Sequence, residues 1–223
     1  MNNFNFNNMR GVVIPKDTDT TPIREQIYDG SEFLIKGMDF WNQFSYEQIY
    51  LFMSQEGLYV LPTEELIDFL DKEIAENTAI EIGAGRGFIG RELMIPTTDS
   101  YQQQDNKKAV LMYELMKQPR IKYPKWVEKK DAIAAVYKYR PHTVIGCFVT
   151  HKWRNDTMSG NDDGIDMRKL LSLVNRFILV GNKAVHKDNP LMELPHKEIE
   201  LEGLITKGTH PELNRVFIWN RGK

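Results

Sequence analysis

Residues 79–99 read AIEIGAGRGFIGRELMIPTTD, and no other stretch limits the fold as tightly. The apolar run Ala79–Ile82, carrying Glu81 near its end, opens into a turn with glycine at 83, 85 and 87. Thr97-Thr98 then leads into a second acid, Asp99. A short apolar run bounded by glycine reads as a buried strand. Glycine reaches backbone angles closed to other residues and lets main chain come close to a ligand. The pattern predicts strand, nucleotide-cradling turn, helix and second strand, with Glu81 and Asp99 at the strand ends. Carboxylates there can accept hydrogen bonds from a ribose diol or, for Glu81, hold an ammonium group. A small-molecule cofactor is expected.

Two registers compete for the glycines. Gly85, Gly87 and Gly90 satisfy G-x-G-x-x-G, with Asp105 near the spacing of about 20 residues used by nicotinamide-binding proteins. That register leaves Gly83 unexplained and moves the turn two residues from the apolar run. The other, Glu81-x-Gly83-x-Gly85-x-Gly87, resembles motif I of the class I S-adenosylmethionine-dependent methyltransferases, and the rest of the chain follows that family's order. Thr97-Thr98-Asp99 looks like the end of a second strand, Trp126-Val127-Glu128 like a third followed by Asp131-Ala132, and 143–148 like a fourth. Residues 176–181 read as the fifth, and 215–219 as a last, antiparallel strand. The resemblance covers roughly residues 60–221.

The resemblance implies a Rossmann-like, doubly wound α/β fold: a mostly parallel seven-stranded sheet with an antiparallel C-terminal strand and an N-terminal helical extension. It implies S-adenosylmethionine as cofactor, held by Glu81, Gly83, Ala84, Gly85, Gly87, Asp99, Ser100, Asp131, Ala132 and Cys147. Asp99 would take both ribose hydroxyls, and Asp131 with Ala132 would address the adenine. The methyl acceptor, a small molecule or a macromolecule, would lie near Phe148 and Trp153, with Trp41 contributed by the N-terminal cover. His151 is the candidate base, because a neutral imidazole can remove a proton near physiological pH. Gly146 and Phe148 depart from the signatures that surround a nucleophilic cysteine or an amine-methylating loop, so Cys147 reads as a small hydrophobe at a strand end. A cofactor-binding protein without transfer activity stays open as an alternative, and a nicotinamide oxidoreductase as a third.

Elsewhere Thr63 can cap a helix whose apolar positions are Leu66, Ile67, Phe69, Leu70 and Ile74, and further helices are expected at 107–117, 132–139 and 167–174. Alternation of strands and helices points to a parallel sheet with crossover helices. Residues 1–30 read as a flexible arm, and 31–223 as one domain with an aromatic-rich helical cover at 31–60 and the core at 61–223. The loop 161–166 reads as a cap for the next helix, not a calcium site, and the histidines show no metal-ligand spacing, so no metal is expected. The formal net charge of −2 gives no broad footprint for nucleic acid. A single cysteine, no apolar run of about 20 residues and no apolar leader at the N-terminus set the expectation of a cytoplasmic protein that does not enter the membrane.

Overall fold

The apolar runs at 79–82, 143–147 and 176–182 become neighbouring parallel strands covered on both faces. The computed structural model describes residues 13–115 and 118–222. In chain order it holds α1 (Thr21–Ile27), β1 (Tyr28–Asp29), β2 (Glu32–Phe33), α2 (Met38–Trp41), α3 (Tyr46–Glu56) and α4 (Glu64–Ile74). Then come β3 (Ala79–Ile82), α5 (Phe88–Glu92), β4 (Thr97–Asp99), α6 (Gln102–Asp105), α7 (Lys107–Leu115), β5 (Val127–Lys129) and α8 (Ala132–Tyr139). Last are β6 (Thr143–Cys147), α9 (Met167–Leu173), β7 (Arg176–Asn182), α10 (Lys183–His186), β8 (Lys197–Ile199) and β9 (Asn214–Asn220).

The main sheet has seven strands in the order β5-β4-β3-β6-β7-β9-β8, parallel from β5 to β7, with β9 antiparallel to both β7 and β8. This is the Rossmann-like, methyltransferase-type arrangement that the sequence resemblance implies. Alternate residues of each strand face opposite sides, as a pleated strand requires. Val144, Phe177 and Leu179 meet Ala135 of α8 and Leu170 of α9, whereas Ile145, Ile178 and Val180 meet Leu66, Leu70 and Ile74 of α4. Two covered faces explain why these strands are continuous apolar runs. Thr63, Asp131 and Asp166 each accept an N–H in the first turn of the helix that follows, the last as expected for the 161–166 loop. From β3 the chain runs outward to β4 and β5 on one side and to β6 on the other. The crevice between β3 and β6, at the strands' carboxyl ends, is the switch point where α/β sheets bind ligands.

The arm expected at 1–30 is a correction in part. Residues 1–12 lie outside the described residues, but Ile23 and Ile27 of α1 are fully buried among Trp41, Phe52 and Met53. Position 117 of the expected helix at 107–117 also lies outside them; α7 runs to Leu115. Trp41, expected in the acceptor pocket, is 0% exposed; its indole donates to Lys36 O at 3.2 Å, making it the centre of the N-terminal cluster. Among the described residues no helix is long and apolar enough to cross a membrane.

One buried carboxylate ties this cover to the core. Glu56, at the end of α3, accepts from Arg24 of α1 at 2.5 Å, from Tyr28 of β1 at 2.6 Å and from Arg86 of the glycine turn at 2.6 Å. Burial alone would raise its pKa; the Tyr28 hydroxyl and the two guanidiniums outweigh that and hold it below the usual carboxylate range. Removing the shared member of a buried ion pair leaves its partners uncompensated. Glu56→Ala is therefore expected to lower unfolding free energy by about 3 kcal/mol in urea titrations, and a loss under about 1 kcal/mol would show that the hub is screened like a surface pair.

Candidate functional site

Gly83, Gly85 and Gly87 have φ of +58°, +56° and +64°, a left-handed region costly for other residues. The turn is braced from within. Ala84 N–H donates to Thr98 O at 3.0 Å and Gly87 N–H to Ala84 O at 2.8 Å. Gly85 N–H donates to Asp99 Oδ2 at 2.9 Å, and Gly90 N–H to Glu81 Oε2 at 2.8 Å.

The second of these bonds gives Glu81 a part in the turn itself. Its side chain is buried and committed to the start of α5, where a Cβ on Gly90 would stand 2.7 Å from Oε2. Burial raises its pKa to about 8, with Asp99 adding to the rise and the Gly90 N–H opposing it. Glu81 lies beside the Cys147 thiol, which burial and this carboxyl push well above its ordinary range. It holds the turn through Gly90 while also lining the small cavity beside it.

Asp99 is buried too, accepting from Gly85 N–H through Oδ2 and from Tyr101 N–H through Oδ1 at 2.8 Å. A carboxylate has further acceptor sites, one of which faces the Tyr123 hydroxyl. Burial raises its pKa, opposed by the Gly85 and Tyr101 N–H groups and the Tyr123 hydroxyl.

A cleft of about 620 Å³ opens over the ends of β3, β4, β5 and β6. Gly83, Asp99, Ser100, Asp131, Ala132, Cys147 and Phe148 all border it. Glu81, Ala84, Gly85 and Gly87 instead border a smaller adjoining cavity of about 50 Å³, roofed by residues 57–60; Gly83, Cys147 and Tyr59 reach both. Asp131 also caps α8, accepting from Ala134 N–H at 2.9 Å. The cleft's outer rims are clasped together: Gln102 donates to Asp163 O at 2.6 Å, and Asn106 to the Asp163 carboxylate.

Two expected residues are elsewhere. His151 is buried under its own loop, its Nε2 at 3.2 Å from Ser159 Oγ, and it does not border the cleft. Burial, then the Arg154 charge, lower its pKa, so the ring is a neutral strut. Trp153 is exposed and donates to Asn155 Oδ1 at 2.9 Å. In their place stand three tyrosines that the sequence did not single out for the site: Tyr59, Tyr113 and Tyr123. Tyr59 and Tyr113 share a hydroxyl hydrogen bond, and Tyr123 stacks on Tyr101 with centroids 3.9 Å apart. Burial raises the pKa of all three, keeping them neutral donors.

The nicotinamide register lacks its acid at a strand end. Within the turn the N–H groups of Ala84, Gly85, Gly87 and Gly90 are taken. Asp105 lies on α6, not at a strand end, paired with Lys129 at 2.5 Å.

No protein-family model matches the sequence, and no curated protein matches it. Among solved structures the chain is similar to WbdD co-crystallised with the kinase inhibitor LY294002, at 13% identity over 91% of this chain and 47% of that one, TM-score 0.40. It is also similar to magnesium protoporphyrin IX methyltransferase (ChlM) from Synechocystis PCC 6803 with bound SAM, at 15% identity over 92% and 98% of the two chains, TM-score 0.42. The chain spans about half the length of WbdD. Superpositions this loose carry no weight for ligand or reaction.

The raised pKa of Glu81 has a signed consequence. Protonated in the fold up to about pH 8 but ionised above about 4.5 in the unfolded chain, it stabilises most below 4.5 and loses that contribution as pH rises to 8. Urea midpoints at pH 5.5 and 8.0 should fall more steeply with pH for the unmodified chain than for Glu81→Gln; parallel profiles would show that Glu81 is ionised in the fold.

Proposed function

We propose that this chain binds S-adenosylmethionine in the cleft and transfers its methyl group to an oxygen or nitrogen nucleophile beyond the end of β6. One observation carries the reading: successive strand ends bring the first glycine of the turn, a doubly anchored acid and the Asp131–Ile133 wall onto one cleft. Those are, in order, partners for an amino-acid tail, a ribose diol and a flat apolar base.

Asp99 would accept the two ribose hydroxyls without moving, since its N–H bonds already fix the carboxylate. Ala132 and Ile133 would flank the adenine, with Asp131 beside them. Main chain at Gly83 would meet the tail next to Cys147. When bound, the sulfonium supplies both the activated methyl and its own leaving group, so the chain's task is to position and desolvate. Tyr59, Tyr113 and Tyr123 exclude water on one side and donate hydroxyls. Among the described residues no histidine borders the cleft. The lone Cys147 fits a reducing compartment, and we place the protein in the cytoplasm.

The absent histidine favours a second reading, cofactor binding without transfer. Incubation with methyl-labelled donor and mixed acceptors separates the two: labelled product supports transfer, binding without product the alternative.

Calorimetry tests the cofactor itself. S-adenosylmethionine and its demethylated product, S-adenosylhomocysteine, should both bind, and a folded sample giving no heat with either sinks the proposal. Losing hydrogen bonds to a charged group costs about 1.5–3 kcal/mol, so Asp99→Ala should weaken binding by roughly tenfold or more. Asp131→Ala should weaken it less.

A further inference from the structure

Among the described residues the wall of the smaller cavity carries a single cation, and it comes from the glycine turn itself. Arg86, between Gly85 and Gly87, borders that cavity together with Glu81, Gly83 and Cys147. Its Nη1 donates to Glu56 at 2.6 Å, its guanidinium lies 4.8 Å from the centre of the Phe88 ring, and its side chain is 22% exposed. Its Nε is buried and has no hydrogen-bond partner among the described residues. A buried N–H without a partner costs free energy that an acceptor on a ligand restores.

Charge points the same way. Arg24 and Arg86 share the carboxylate of Glu56, two guanidiniums against one acid, and Arg24 is the more exposed of the two. The lysines on the wall of the larger cleft are different: Lys152 and Lys169 are exposed, and Lys130 pairs with Glu128. An exposed ammonium keeps its water, whereas a largely desolvated guanidinium with a spare donor gains most from an anion. Size narrows the anion. One water needs about 10–15 Å³, so a cavity of about 50 Å³ takes a group the size of a carboxylate. Gly83 and Cys147 border both spaces, so a ligand lying in the cleft reaches the cavity there.

We propose that Arg86 binds the carboxylate of the cofactor's amino-acid tail through Nε while Nη1 stays with Glu56. The identity of the ligand rests on the cofactor reading above. The added carboxylate brings the cluster to two guanidiniums and two acids, and it fastens the N-terminal cover to the ligand through Glu56, which also holds Arg24 of α1 and Tyr28 of β1.

The test titrates the full chain by calorimetry with S-adenosylhomocysteine, with the same molecule lacking its carboxylate, and with adenosine, which lacks the whole tail. The decarboxylated compound should bind about tenfold or more weakly than the parent. Nuclear magnetic resonance reads the donor directly: the Nε–H signal of Arg86, identified by its loss in Arg86→Lys, should move with S-adenosylhomocysteine and stay in place with the decarboxylated compound. Arg86→Lys keeps a cation beside Glu56, and the ligand comparison on the unmodified chain needs no variant. Equal affinity for parent and decarboxylated compound overturns the proposal, as does an Nε–H signal that the parent leaves unmoved. Failure of the cofactor reading looks different: no heat with any of the three ligands removes that reading and this proposal together, whereas equal binding of parent and decarboxylated compound keeps the nucleoside site and takes Arg86 out of it.

Discussion

The site depends on two buried carboxyl groups that accept main-chain N–H donors from one glycine-rich turn. Asp99 holds Gly85, and Glu81 holds Gly90. Sheet register makes the first contact possible: Ile82 pairs with Thr98, so Asp99 stands level with Gly83, the first residue beyond β3. A slip of one residue would turn Asp99 to the other face of the sheet and leave the turn without its anchor. The turn then feeds α5, whose Gly90 and Ile89 lie against Glu81, Thr97 and the α4 side of the core. The geometry of the turn and that of the core are fixed by the same bonds.

Much of this architecture was legible because parallel strands buried on both faces leave a plain mark, an apolar run without alternation. β3, β6 and β7 fall where those runs predict, whereas β4, Thr97-Thr98-Asp99, was placed by the family resemblance. β8 left no such mark, since Lys197-Glu198-Ile199 is a short, mostly exposed edge strand recognisable only once β9 is beside it. Nor did α1, whose two buried isoleucines sit among polar neighbours and whose docking depends on Glu56. A glutamate at the end of a helix looks like a surface residue until the partners from α1, β1 and the glycine turn converge on it.

The site divides in the same way. Motif residues local to one strand end were legible; residues that reach the cleft from separate connections were not. Tyr59, Tyr113 and Tyr123 precede α4, lie on α7 and precede β5, and no spacing relates them. His151 misled for the opposite reason. It follows β6 closely enough to suggest the cleft, but the loop folds back on itself through Gly160 and Gly164, where any Cβ would strike the His151 backbone. That closure buries the imidazole and leaves the neighbouring Thr150 and Lys152 on the cleft wall.

The β3 and β6 ends of the cleft are joined at a single reverse in the chain. Phe148 holds φ +59°, a conformation that costs a bulky residue on the order of 1 kcal/mol or more. It is held there by its N–H bond to Val180 O at 2.8 Å and by the edge-on ring of His186, 5.0 Å away. Val149, the next residue, fills the space above Gly83 and Gly146, where added Cβ atoms would come within 2.6 and 2.7 Å of its methyls. Gly83 is thus required twice, once by its own backbone angle and once by Val149. Without room above that first glycine, the strained turn at Phe148 could not seat.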